Sequence, residues 1–125
     1  FYEKVNEITN KYPDDKFVIM IFNISRFKVV NDMFGRKMGD AILKQISENC
    51  LAQCSDKRVY ARVESDNFIT LCPKSELVIK DLEKKRNIKV TYNNITCTVH
   101  IRYGIYAFSI FFVEKLCYNI STIRL

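Results

Sequence analysis

A run of apolar residues from Phe17 to Phe22, with the sequence FVIMIF, constrains the fold of this chain more than any other feature. The run has strand length and is far shorter than the roughly 20 apolar residues that would span a bilayer. Because it lacks polar alternation and is rich in β-forming residues, it predicts a central strand buried on both faces. Such a strand requires other strands beside it and helices packed over the sheet.

Hydrophobic spacing and turn residues predict the other elements of the chain. We expect helices over 2–11, 26–34 (capped by Ser25 and ended by Gly35), 37–54, 75–86 and 113–123. We expect strands over 58–63, 68–72, 88–92 and 95–108, with turns at 64–67 and at Asn93-Asn94. This order predicts an α+β fold with a central, mostly antiparallel sheet covered by helices.

Two helices have apolar residues that are expected to face the core. The first set, on the helix over 37–54, is Ile42, Leu43, Ile46, Cys50 and Leu51. The second set, on the helix over 75–86, is Leu77, Val78 and Leu82.

Length and composition indicate one domain of a larger protein. The chain has 125 residues, which suits a single hydrophobic core. It opens at Phe1 without a Met, so we expect residues 1–125 to be one domain excised from a larger, multidomain protein, with 1–12 as a lead-in helix. No segment looks like a membrane span or a signal peptide. The five cysteines form no CxxC pair, which favours buried, reduced thiols and a cytoplasmic location.

The net charge of +6 raises the question of a nucleic-acid partner. The basic residues are scattered, and the one cluster, at 84–86, closes a predicted helix, where cations favour the helix dipole. Nucleic-acid binding is therefore the least favoured function.

Three segments of the sequence carry a family resemblance. Residues 23–35 (NISRFKVVNDMFG) with Gly39-Asp40 resemble the first signature of GGDEF domains, D-x-D-x-F-K-x-x-N-D-x-x-G-H-x-x-G-D. Residues 61–68 (ARVESDNF) are similar to the family's A-R-x-G-G-D-E-F, and 99–106 (VHIRYGIY) to its last major strand, which often carries S-x-G-I. The resemblance implies the nucleotidyl cyclase fold, which is ferredoxin-like, and the activity of a diguanylate cyclase.

The family reaction condenses two GTP molecules, held on two facing domains, to cyclic di-GMP. It requires Mg²⁺ or Mn²⁺, because negative charge builds on the phosphate oxygens. By resemblance, the metal positions fall on Asn23, on the backbone carbonyl of Ile24 and on Asp66. Asn23 stands where the family has Asp, and Asn67 stands where it has Glu. The loss of these carboxylates predicts weakened cation binding.

The turn of the second signature also departs from the family. Its two leading glycines are Glu64 and Ser65 here, so side chains replace the bare backbone that would approach the nucleotide. Glu64 would repel a triphosphate, although it is also the candidate for a displaced carboxylate. If the chain is active, Asp66 and Glu64 are the catalytic candidates.

Other residues keep the family pattern for nucleotide binding. Asn31 and Asp40 match the guanine contacts, and the backbone amides around Phe27 and Lys28 match the phosphate contacts. A structural explanation remains open for each. Asn31 and Gly39-Asp40 can serve helix ends, Phe27 can be core, and Lys28 can be solvated.

These residues leave three hypotheses. The first is a degenerate, catalytically inactive GGDEF domain that regulates by contact beside a sensor or an EAL phosphodiesterase domain, with GTP as a candidate ligand. The second is an active diguanylate cyclase with altered metal ligands, which would act as a homodimer. The third is a nucleic-acid-binding module.

Overall fold

The computed structural model describes residues 1–107. The helices are α1 (Tyr2–Lys11), α2 (Phe27–Phe34), α3 (Arg36–Gln53) and α4 (Ile79–Lys84). The strands are β1 (Phe17–Ile24), β2 (Val59–Glu64), β3 (Asn67–Pro73), β4 (Asn87–Tyr92) and β5 (Ile95–Ala107). The predicted helix over 113–123 lies outside the described residues.

The five strands form one sheet in the order β2-β3-β1-β5-β4, in which every neighbouring pair is antiparallel. The apolar run of β1 therefore lies at the centre of the sheet, as predicted. Asn93 and Asn94, with φ of 49° and 63°, make the tight turn between β4 and β5. The predicted α+β class with an antiparallel sheet is confirmed.

One face of the sheet packs against α2 and α3. Phe22 and Phe68 stack there with ring centroids 5.1 Å apart, and Phe68 is fully buried. The helix side of this core consists of Met38, Ile42, Leu43 and Ile46. Leu51, predicted to join that stripe, is 61% exposed, because it lies in the last turn of α3 beyond this core.

The opposite face of the sheet packs against α1. Val5 and Ile8 of α1 pack with Phe17, Ile19, Ile69 and Leu71 in a second buried cluster. Beyond α1, Lys57 Nζ lies 2.6 Å from Asp15 Oδ2 and 4.5 Å from the ring centroid of Tyr12. The predicted lead-in helix is thus an integral layer of the fold.

Two helix predictions are wrong. Ser25 is not the N-cap of α2. Its backbone N–H donates to the carbonyl of His100 at 2.7 Å, which prolongs the pairing of β1 with β5, and the N-cap position falls on Arg26. Arg26, in the left-handed conformation with φ of 57°, makes the turn instead, and α2 begins at Phe27.

The predicted helix over 75–86 is interrupted. A 3-10 turn at Lys74–Glu76 and the short α4 replace it, with Leu77 and Val78 extended between them. Val78, predicted to face inward, is 48% exposed, whereas Leu77 and Leu82 are half-buried. Within residues 1–107, no helix has the length and apolar character needed to cross a membrane.

Candidate functional site

Three polar side chains meet where the central strands end. In the sheet register, Asn23 of β1 pairs with Asn67 of β3 on one side and with Arg102 of β5 on the other. Because directly paired residues of an antiparallel sheet point to the same face, the three side chains form a row. We call this row the strand-end triad.

The triad is connected by hydrogen bonds. Arg102 Nε donates to Asn23 Oδ1 at 3.3 Å, and Asn23 Nδ2 donates to Asn67 Oδ1 at 3.4 Å. Arginine can only donate, so its contact requires the oxygen of Asn23 to face β5 and the amide nitrogen to face β3. The oxygens of both asparagines are therefore already acceptors within the triad.

This arrangement does not fit a pair of divalent cations. Mg²⁺ and Mn²⁺ prefer anionic oxygen ligands, whereas Asn23 and Asn67 offer neutral amides. A cation bound at Asn23 Oδ1 would share that oxygen with the Arg102 guanidinium and would be repelled by its charge. The side chain of Ile24 is buried in the core, so only its backbone can contribute to the site. Within residues 1–107, no group of three or more His, Cys, Asp and Glu is arranged to hold a metal ion.

The turn after β2 lies directly beside the triad. Ser65 has a left-handed backbone with φ of 46°, and its carbonyl accepts a hydrogen bond of 2.6 Å from Arg62 Nε. The register shifts between Arg62 and Glu64, which marks a β-bulge. Glu64 is exposed and Asp66 is half-buried. In the register Glu64 pairs with Asn67, so its exposed carboxylate lies next to the triad at the β2 edge of the row.

The candidate guanine residues are brought together by the packing of α2 on α3. A Cβ added at Gly39 would overlap Asn31 Oδ1 and would lie 3.3 Å from Cζ of Phe27. The absence of a side chain at position 39 therefore lets the amide of Asn31 pack closely against α3. Asp40 follows directly and is exposed. The structure thus places Asn31 beside the helical turn that carries Asp40.

The candidate phosphate residues open α2. Lys28 is exposed and Phe27 is half-buried against the core. No side chain caps the start of this helix, where the first amides lack acceptors within the helix. These amides follow the left-handed turn at Arg26.

Sequence reasoning missed Arg102 and Arg62 as site residues. The signal for Arg102 was present, since it occupies the serine position of the S-x-G-I pattern. An arginine in a strand is usually solvated. The contact of Arg102 with Asn23 depends on the strand register, which the sequence does not show.

A separate cavity of about 740 Å³ lies on the sheet face that packs against α3 and α4. Its lining includes Cys50, Cys54 and Cys72. Burial, followed by the nearby charge of Cys54, raises the pKa of the Cys50 thiol to about 11. Burial also raises the pKa of Tyr103 on the same wall. These shifts disfavour ionised, reactive groups, and the cavity does not include the triad.

Comparison with known proteins agrees with the fold and the motifs. The family model for "Diguanylate cyclase, GGDEF domain" matches residues 1–112. The chain therefore belongs to the GGDEF domain family.

Individual relatives match less of the sequence. The bifunctional diguanylate cyclase/cyclic di-GMP phosphodiesterase MucR of Pseudomonas aeruginosa is 31% identical over 58 residues, which are 46% of this chain and 8% of that protein. A sensory box/GGDEF family protein from Caulobacter crescentus has a TM-score of 0.72 at 16% identity, covering 86% of this chain and 74% of that chain. A diguanylate cyclase/phosphodiesterase from Caldicellulosiruptor saccharolyticus gives 0.73 at 14% identity, covering 93% and 73%. The chain thus spans a small part of MucR, and the two solved structures share its fold.

Proposed function

We propose that this chain is a GGDEF domain that does not condense GTP and that acts as a regulatory module of a cyclic di-GMP signalling protein. The strand-end triad is the observation that carries this proposal. Where the family reaction implies acidic ligands, this chain has the amides of Asn23 and Asn67, which are hydrogen-bonded to each other. Asn23 also accepts a hydrogen bond from Arg102.

The site has fewer carboxylates than two divalent cations require. Two cations that bridge a triphosphate require several anionic oxygens, because charge builds on the transferring phosphoryl group. Asp66 and Glu64 are the carboxylates of the adjoining turn, and Arg62 lies close to that turn through the Ser65 carbonyl. Glu64 lies across from Asn67 in the register, but positions 23 and 67 themselves carry no acid, and one exposed carboxylate beside them does not neutralise two cations.

The nucleotide pocket retains more of the family pattern than the metal site. Asn31, held against Gly39, and the exposed Asp40 and Lys28 support GTP as a ligand. GTP would regulate only if it bound two conformations of the whole protein with different affinities.

The relatives suggest a setting for this regulation. MucR combines cyclase and phosphodiesterase functions, and the Caulobacter protein joins a sensory box to a GGDEF domain. We infer that a sensor or an EAL-type phosphodiesterase domain flanks this chain in a cytoplasmic protein. A homodimer would be required only for condensation.

The proposal is tested by incubating concentrated protein with GTP and Mn²⁺ or Mg²⁺ and separating the nucleotides chromatographically. We expect neither cyclic di-GMP nor its linear intermediate. Cyclic di-GMP that accumulates with the natural chain and disappears with Asp66→Ala would instead establish an active cyclase with altered metal ligands.

A restored variant provides the matched control. It carries Asn23→Asp, Asn67→Glu and Arg102→Ser, together with Glu64→Gly and Ser65→Gly. Product from this variant, with none from the natural chain, would assign the loss of activity to these positions. Circular dichroism of both proteins checks that the comparison is made between folded chains.

A further inference from the structure

We propose that Arg102 replaces the divalent cations of this site, so that the domain binds the phosphates of a nucleoside triphosphate without metal. The inference rests on the proposed function, because a domain that performed the condensation would need its metals. It adds two points that the loss of carboxylates alone does not imply: a residue that binds phosphate, and nucleotide binding that needs no divalent cation.

Arg102 lies beside the end of the central strand. Its register partner is Asn23, at the end of the central strand, and its Nε is anchored on Asn23 Oδ1 at 3.3 Å. Asn23 is held in turn by Asn67. The guanidinium is therefore attached at the position where the family pattern has its first metal-binding Asp.

The guanidinium of Arg102 has hydrogen-bond donors that Asn23 does not use. Within residues 1–107, the hydrogen bond of Arg102 to another residue is made by Nε alone, and the side chain is exposed. The two terminal nitrogens remain able to donate. A planar guanidinium presents paired donors that match phosphate oxygens, which is why arginine is suited to phosphate recognition.

Arg102 also supplies a positive charge to the neighbourhood. Two metal ions would supply several positive charges to two or three carboxylates, giving a site with a small net charge. The triad has one arginine and two neutral amides, and Glu64, across from Asn67, adds a carboxylate at the opposite end of the row from Arg102. A triphosphate that enters at the Arg102 end of the row therefore meets a positive group without any bound ion.

Calorimetric titration of the full chain with GTP, once in EDTA and once in Mg²⁺, tests the inference. We expect GTP, and inorganic triphosphate more weakly, to bind in EDTA. Arg102→Gln should weaken GTP binding in EDTA by roughly tenfold to a hundredfold, as expected for a lost charge-assisted contact. Arg102→Lys, which retains the charge but not the paired donors, should recover part of the affinity.

The control variant is Lys84→Gln. It removes the same charge from α4, whose cavity lies on the other face of the sheet from the triad. We expect it to change GTP affinity by less than about threefold, through the long-range field alone.

The outcomes separate the two proposals. GTP binding that requires Mg²⁺, no GTP binding in either buffer, or equal effects of Arg102→Gln and Lys84→Gln would each overturn the inference. Absence of binding leaves the proposal of a non-condensing contact module intact, whereas formation of cyclic di-GMP would overturn that proposal by itself. If Arg102→Gln does not fold, the Nε–H signal of Arg102 in the NMR spectrum of the natural chain gives the answer. The inference requires that signal to shift when GTP is added in EDTA, and an unchanged signal rejects it.

Discussion

Asn23 Oδ1 accepts a hydrogen bond of 3.3 Å from Arg102 Nε across the register pair that joins β1 to β5. This contact places a positive charge next to the residue that the family pattern makes a metal ligand. It explains why a single change at Asn23 is not expected to restore a cation site.

The first prediction therefore compares the Mn²⁺ affinities of a double variant and a triple variant. Asn23→Asp/Asn67→Glu restores two carboxylates, but Arg102 would form an ion pair with the new Asp and hold it. Adding Arg102→Ser removes that competitor. Because a unit charge near 4 Å contributes about 1 kcal/mol even in water, and twice that for a divalent ion, the triple variant should bind Mn²⁺ about tenfold or more tightly than the double variant.

Electron paramagnetic resonance of free Mn²⁺, with GTP present, measures this difference. The natural chain is the control and should leave the free-ion signal unchanged beyond what GTP itself takes up. Equal Mn²⁺ affinity for the double and the triple variant would show that Arg102 does not oppose cation binding.

The second prediction concerns the contact between Asn31 and Gly39. Gly39→Ala gains up to about 1 kcal/mol of helix propensity, but its Cβ would overlap Asn31 Oδ1 and displace that side chain. We expect the free energy of unfolding to change by less than about 1 kcal/mol because the two effects oppose each other. On the proposed contact of Asn31 with guanine, the preference for GTP over ATP should also fall, because the displaced side chain would lose that contact.

Chemical denaturation and nucleotide titration of Gly39→Ala, Asn31→Ala and the double variant form a cycle that isolates the contact. In the Asn31→Ala background, Gly39→Ala should stabilise the fold and have no further effect on GTP preference. A full and additive loss of GTP preference in the double variant would show that the two residues act separately.

The third prediction concerns the turn between β2 and β3. Ser65 adopts φ of 46°, a conformation that costs a non-glycine residue roughly 1–2 kcal/mol. Ser65→Gly removes this cost but adds entropy to the unfolded chain, so we expect a net gain of about 0.5–1 kcal/mol in the free energy of unfolding. The hydrogen bond from Arg62 Nε is accepted by the backbone carbonyl of residue 65, so it should survive the change of side chain.

Urea unfolding of Ser65→Gly and Ser65→Ala measures the effect. Alanine keeps the left-handed cost and should give no gain. A gain of the same size in both variants would mean that the serine side chain, rather than the backbone conformation, limits stability.

The fourth prediction concerns thiol reactivity in the last turn of α3. Cys54 is exposed, contrary to the expectation of buried thiols, whereas burial raises the pKa of the half-buried Cys50 to about 11. Because the thiolate is the reactive form, iodoacetamide near neutral pH should modify Cys54 well before Cys50. Cys72 and Cys97 are buried and should react only on unfolding.

Mass spectrometry of the fragmented peptide that carries both residues measures their order of alkylation. Cys50 should accelerate about tenfold per pH unit up to its pKa. The same shift makes the free energy of unfolding fall as pH rises from the ordinary thiol range toward about 11, because the unfolded chain loses this proton first. Early alkylation of Cys50 at neutral pH would contradict the buried environment.

The sequence predicted the elements whose signals are local. The apolar run of β1 gives a central strand, and Asn93-Asn94 gives the β4–β5 turn, because composition over a few residues decides both. Ser25 failed as a cap because the pairing of β1 with β5 continues through its backbone N–H, which moves the N-cap position to Arg26. The helix predicted over 75–86 failed because apolar spacing in so short a segment does not fix where a helix begins.

The candidate site was predictable in part. Motif positions named Asn23, Asn31, Asp40 and Asp66, and the structure adds the contacts of Asn23 and Asn31. The role of Arg102 could not be predicted, because it depends on which residue of β5 pairs with Asn23. A shift of one residue in that register would turn its side chain to the other face of the sheet.

The most direct test of the account is a crystal structure of the chain with a non-hydrolysable GTP analogue and Mn²⁺, recorded at a wavelength where manganese scatters anomalously. The account predicts no anomalous peak beside Asn23 and Asn67, and it predicts the guanidinium of Arg102 within hydrogen-bond distance of a phosphate oxygen. Two manganese peaks bridging the triphosphate at the strand ends, with Arg102 turned away, would contradict it.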